Sequence, residues 1–269
     1  MRSLLLHVHE EPRFDARLQV ALDLARAFDG HISLYQPIPL AMLWPGDPFA
    51  VTATDLAPMA KDRAEEYRRK IEIRLAAEDV PWNWVSEFGV AEAGLVEQSG
   101  LADLAIVGAG NTDGRKGASR LAGTLAIQSL APILVVPDTA EGFAADGAAV
   151  VAWDGSLEAS RALRSAVPLL QKASAVTLVE VEETKQREVE LPMLDGARYL
   201  DRHGIACEIV QIGRGDASIT HVLREAARAR EAGLLVMGAY GVPRVVETLF
   251  GGVTRDMLTN PDIPVFLSH

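Results

Sequence analysis

A chain of 269 residues is long enough for two ordinary domains, and 49% hydrophobic with 23% charged residues is the composition of a globular protein with a sizeable core. The formal net charge of −11 argues against nucleic acid or an anionic membrane as main partner, yet leaves room for a small anion held by local donors. The single Cys207 excludes an internal disulfide and reads as a buried, unreactive thiol; no apolar run approaches the roughly 18 residues of a membrane span.

The N-terminal MRSLLLHVHEE turns acidic too soon for a signal peptide, so a cytoplasmic location is expected. Residues 4–8 are a short apolar run of the kind buried in parallel sheets. Pro12 suits a first helical turn, Leu18, Leu22 and Ala25 recur at helical spacing, and Gly30 reads as the stop. A second strand covers residues 31–35. Residues 37–53, broken by Pro39, Pro45, Gly46 and Pro48, form a loop long enough to lie over a site or an interface. Met59, Ala64, Tyr67, Ile71 and Leu75 mark a long helix, and Trp82, Trp84 and Ser86 alternate with Asn83, Val85 and Glu87 as in an exposed edge strand. Strands at 104–107 and 133–136 close the first half. One helix per crossover predicts a parallel sheet covered on both faces.

Residues 138–147 are small and polar, as in a linker, and the pattern then starts again. A strand at 148–153 closes on Asp154-Gly155-Ser156, with Asp154 either capping the helix 157–170 or facing a ligand at the carboxyl edge of the sheet. A strand at 175–181 follows, with Val179 and Val181 on one face. Next come a helix at 190–203 with Leu194, Ala197 and Leu200 inward, and a strand at 206–212. The turn Gly213-Arg214-Gly215-Asp216 leads into a helix that Asp216 would cap; its Arg-Gly-Asp triplet is read as coincidence. ADLAIVGAGN (102–111) stands over AGLLVMGAYG (232–241), APILVVP (131–137) over IPVFLSH (263–269), and LLHVHEE (5–11) over VVAWDGS (150–156). Two copies of one five-stranded α/β unit, 1–138 and 147–269, therefore make the chain.

The stretch LLVMGAYGVPRVVETLFGGV (234–253) carries the chemistry. An apolar strand ends in Gly238, Gly241 follows, and nine residues separate it from Gly251-Gly252, where a helix begins at Val253 and Thr254. Bare backbone there lets a ligand approach closely, and amides at a helix N-terminus attract phosphate. The alternative is a Gly-rich turn that serves packing alone. The Gly-x2-Gly-x9-Gly spacing resembles the nucleotide loop of the universal stress protein family, and the two halves together resemble a tandem member of it. The family usually has Ser or Thr after the last glycine, where this chain has Gly252, a loss of one hydroxyl contact.

The resemblance implies doubly wound parallel sheets of strand order 3-2-1-4-5 whose fifth strands pair across a pseudo-two-fold axis, an internal pseudo-dimer. It also implies an adenine nucleotide, ATP or a relative, with Mg²⁺ as a companion ion. Its contacts would come from Ala152, Asp154, Val181, Gly213, Met237, Gly238, Gly241, Gly251, Gly252, Val253 and Thr254. Asp154 would lie beside the ribose, Val181 against the adenine, and the turn at Gly213 in the site wall. The first half keeps Gly108, but Asn111 replaces the second glycine, Ser119-Arg120 replaces the Gly251-Gly252 pair, and His9 takes the place of Asp154. It reads as a structural partner, the alternative being a different ligand drawn to Arg115, Lys116 and Arg120. His7 and His9 share a strand face but lack an adjacent third metal ligand. No nucleophile elbow, Walker lysine or pair of metal carboxylates completes a catalytic set. Binding in stress response or regulation is thus expected, with an interaction module of remnant sites and a slow ATPase as alternatives.

Overall fold

The computed structural model describes residues 1–11, 13–39, 53–111, 117–182, 191–239 and 252–269. The first half runs β1 (Ser3–His7), α1 (Phe14–Phe28), β2 (His31–Ile38), α2 (Ala53–Leu75), β3 (Trp82–Phe88), α3 (Ala91–Gln98), β4 (Leu104–Gly108), α4 (Arg120–Gln128) and β5 (Ile133–Val136). The second repeats it as β6 (Ala149–Ala152), α5 (Leu157–Leu170), β7 (Val176–Glu182), α6 (Met193–Arg202), β8 (Glu208–Gly213), α7 (Ile219–Ala229), β9 (Leu234–Gly238), α8 (Gly252–Thr259) and β10 (Val265–Ser268).

All ten strands join one sheet in the order β3-β2-β1-β4-β5-β10-β9-β6-β7-β8. Each half is parallel with the expected order 3-2-1-4-5. The halves meet where β5 and β10 pair antiparallel, Val135 opposite Val265, Leu134 opposite Phe266 and Ile133 opposite Leu267. These six side chains are at most 1% exposed. Apolar, uncharged edges of this kind invite aggregation when left open, and here each edge covers the other.

The pleat sorts the core into two layers. Leu4 and Leu6 of β1 point to the face carrying α1, α2, α5 and α6, with Leu34, Leu134, Val151, Leu178 and Phe266. Leu5 points to the opposite face, with Val107, Val135, Val150, Leu235, Met237 and Val265 beneath α3, α4, α7 and α8. Burying such a side chain contributes about 1.5–3 kcal/mol, so both layers, continuous across the halves, hold the chain together.

Local signals were misread at three helix ends. Asp29, not Gly30, takes the left-handed conformation that stops α1 (φ 50°), and Gly30 instead presses on the backbone at Arg2, where a Cβ would lie 3.2 Å from the carbonyl oxygen. Helix α5 is capped by Ser156 and not Asp154, and α7 by Ser218 and not Asp216. In α6 the inward stripe is Met193, Gly196 and Leu200, while Leu194 is 52% exposed. Gly196 sits 3.3 Å, by its would-be Cβ, from the Trp153 ring, and that fit sets the rotation of the helix. Cys207 is half-buried just ahead of β8, with its thiol pKa pushed up by burial and then by Asp201. Pro12 and most of the long first-half loop lie outside the described residues.

Candidate functional site

Parallel strands put all their carboxyl ends on one edge, and the point between β6 and β9, where strand order reverses, is where an open α/β sheet offers a crevice. Ala152 ends β6, Gly213 ends β8 and Gly238 ends β9. Val181 lies one residue from the end of β7, opposite Ile212. Ala152 and Val181 are half-buried, Met237 is buried in the core layer, and Asp154 is exposed. Topology therefore brings Ala152, Asp154, Val181, Gly213, Met237 and Gly238 to one edge. Gly252, Val253 and Thr254 open α8; Thr254 is buried and Gly252 exposed, with open space where its Cβ would stand. Gly241 and Gly251 lie outside the described residues.

The turn after β6 is fixed by its own chemistry. Gly155 takes φ 73°, a left-handed conformation that glycine adopts without steric cost. Asp154 Oδ1 accepts from the Ser156 amide at 3.0 Å and the Ser156 hydroxyl at 2.5 Å, and Ser156 Oγ accepts from the Ala159 amide at 3.1 Å. Asp154 thus orients the residue that caps the helix. Trp153 turns away into the core, its indole donating to the Leu191 carbonyl at 3.3 Å.

Gly238 has a packing reason of its own. A Cβ there would lie 2.6 Å from the Ala159 nitrogen, so the first turn of α5 rests on the bare end of β9. The packing reading applies to this glycine whatever the loop beyond it does. Arg214, directly after Gly213, has a buried Nε with no partner among the described residues; the sequence reading took it only as part of a coincidental triplet.

The matching edge of the first half is closed from within. Asn111, at the place of Gly241, donates through Nδ2 to the carbonyls of Gly117 and Ala118, both at 3.2 Å, and accepts the Arg120 amide on Oδ1 at 2.9 Å. Ser119, at the place of Gly251, caps α4 by accepting the Ala122 amide at 3.2 Å. Two amides that would face a ligand are therefore already bonded. Arg120 is exposed, while Arg115 and Lys116 lie outside the described residues.

Deeper in the same edge sits a charged side chain that the sequence reading missed. Arg17 of α1 is 3% exposed and lies over Gly108, where a Cβ would collide with its Nη1. Nη1 donates to Glu11 Oε1 at 2.6 Å, and the guanidinium stands 5.5 Å from the centre of the Phe14 ring. The Arg17 charge bears on His7, 1% exposed, and on His9, whose ring centres lie 6.2 Å apart. Burial first, then the Arg17 charge, then His9, hold the His7 pKa well below the usual histidine range. Burial also lowers that of His9, against an opposing pull from Glu11. The available signal was position: Arg17 follows Phe14 by three and precedes Ala21 by four, on the apolar stripe of α1.

Among the described residues no three His, Cys, Asp or Glu side chains form a metal cluster, and no helix is long and apolar enough to cross a membrane. A small apolar cavity of about 60 Å³, lined by Leu235, Met257, Ile263 and Val265 among others, lies between α7, α8, β9 and β10. A nucleotide-sized ligand needs some 300 Å³ or more, so this cavity is too small for one.

No protein-family model and no curated protein matches the chain significantly. Solved structures do. A universal stress protein from Archaeoglobus fulgidus DSM 4304 aligns at 15% identity with a TM-score of 0.76, over 99% of this chain and 96% of that one. A functionally unknown protein from Pseudomonas aeruginosa PAO1 aligns at 17% identity and a TM-score of 0.59, over 100% and 92%. A protein from Pseudomonas aeruginosa UCBPP-PA14, provisionally named a universal stress protein, aligns at 16% and 0.58, over 100% and 93%. The chain has the universal stress protein fold along its whole length.

Proposed function

We propose that this chain is a tandem universal stress protein that binds one adenine nucleotide, ATP or a close relative with Mg²⁺, at the carboxyl edge of its second half. The first half then serves as the structural partner in the pair. One observation carries the reading. In the first half Asn111 and Ser119 consume the amides that open α4, whereas the matching positions of the second half are Gly241 and Gly251, which have no side chain to cap anything. The amides of Gly252, Val253 and Thr254 open a helix and have no acceptor within it. An aligned set of this kind, at the positive end of a helix dipole, favours phosphate.

The rest of the edge supports a nucleoside. Val181 and Ala152 are half-buried and give an apolar bed for a base, and Asp154 is an exposed carboxylate able to accept from ribose hydroxyls. On this reading the chain divides into units of 1–138 and 147–269, and the second holds the whole site. Isothermal titration of the full chain with Mg·ATP tests the reading: a stoichiometry near one is expected, and no saturable heat with ATP, ADP or AMP overturns it. Phosphate release during a long incubation with ATP separates a slow hydrolase from a pure binder.

A further inference from the structure

Folding rarely leaves a buried cation with most of its donors unused, and each such case calls for an explanation. Arg17 has five N–H donors, and only Nη1 has a partner. Its Nε and Nη2 are buried and unpartnered among the described residues, as are both ring nitrogens of His7 and Nδ1 of His9. We propose that the first half carries a ligand site of its own at the carboxyl ends of β1 and β4, where the Nε–Nη2 side of Arg17, with the imidazoles of His7 and His9, receives a small oxyanion, a carboxylate or a phosphate.

Four features of the place favour that chemistry. It is the point where strand order reverses in the first half-sheet, β1 pairing β2 on one side and β4 on the other, the position at which such sheets hold ligands. The two unused nitrogens of Arg17 belong to one edge of the guanidinium, the fork that matches two oxygens of a carboxylate or phosphate. That fork is held in place before any ligand arrives, by the Glu11 bond on Nη1, by the Phe14 ring and by the bare Gly108 beneath it. The nearby histidines are kept neutral at neutral pH, so each offers one N–H without adding a charge. A metal cation is disfavoured by the guanidinium itself. The second half lacks the arrangement, since Ala152 stands at the place of His7 and Asp154 at that of His9.

The test uses the full chain labelled with ¹⁵N in its histidines, titrated with sodium phosphate and, separately, with sodium acetate, each at constant ionic strength against chloride. His7 and His9 resonances should move saturably with at least one of the two anions, and the arm that works names the source. His31 and His203, both exposed, should not move. Arg17→Lys, which keeps the charge but loses the fork, should weaken the effect about tenfold or more. If Arg17→Lys does not fold, His7→Ala, which installs the second half's residue, should weaken it severalfold as read on His9. No saturable shift with either anion, or unchanged affinity in the folded variants, overturns the proposal and leaves these nitrogens to buried water. The outcome is independent of the nucleotide reading, because phosphate held by the second half leaves the His7 and His9 signals still.

Discussion

In the first half α4 opens on Arg120, whose amide donates to Asn111 at 2.9 Å; in the second, α8 opens on Gly252, and glycines stand where Asn111 and Ser119 would be. The strands beneath are matched in order and direction. At the carboxyl end of the fourth strand the difference goes one layer deeper. Gly238 receives the backbone of α5 directly, while Gly108 receives the Arg17 side chain, interposed between helix and strand. The first half spends two of its helix amides on its own side chains, and on the proposed reading the second keeps its own for a ligand. A repeat can thus keep its strand order and its two core layers while the side chains at one edge diverge.

The largest expected effect comes from moving the first half's closure into the second. Gly241→Asn with Gly251→Ser should lower Mg·ATP affinity about a hundredfold or more, roughly 2.8 kcal/mol, with circular dichroism unchanged. Gly241→Val with Gly251→Val should do the same by bulk alone. Unchanged affinity in either folded double variant would return the loop to a packing role.

Next in size is the seam between the halves. A fragment of residues 1–138 exposes β5, whose four residues are at most 1% exposed in the whole chain. It should dimerise or precipitate in size-exclusion chromatography, since an open apolar edge seeks a partner. A soluble monomer at high concentration would mean that the halves do not depend on the β5–β10 pair.

A smaller effect follows from the buried histidine that the second half lacks. The folded chain holds the His7 pKa well below its ordinary value, so the unfolded chain takes up the proton first. Stability is complete above the unfolded pKa of about 6.5 and falls as pH drops through it toward the folded value. Between pH 7.5 and 5.5 His7 alone should cost on the order of 1 kcal/mol, read as a lower urea midpoint. His7→Ala should flatten that slope; an equal slope in the variant would remove His7 as its source. The smallest expected change is Ser119→Ala, which removes the α4 cap and should cost about 1 kcal/mol, a fall of a few degrees in Tm by calorimetry.

The sequence made the architecture legible because buried parallel strands are short apolar runs and the second half repeats them: 133–136 and 157–170 fall where β5 and α5 stand. The carboxyl-edge residues Ala152, Val181, Gly213 and Gly238 were named through the resemblance to universal stress proteins, and the topology brings them to one edge. Caps were misread because an aspartate near a helix start looks like its cap, whereas Asp154 bonds Ser156 and Ser156 caps the helix. Leu194 misled because period alone cannot choose between adjacent helical rows; the Trp153–Gly196 fit chose the row of Met193. Asn111 was noticed as a missing glycine, but that its amide would bond three backbone groups depends on loop geometry that no pattern encodes.

The central claim is one adenine nucleotide per chain, held by the half in which glycines stand at the places of Asn111 and Ser119. Native mass spectrometry of the full chain with Mg·ATP tests it most directly. A single added nucleotide mass is predicted, lost in the Gly241→Asn, Gly251→Ser variant and kept in Asn111→Ala. Two equivalent nucleotides, or one that survives the second-half change, would contradict the account.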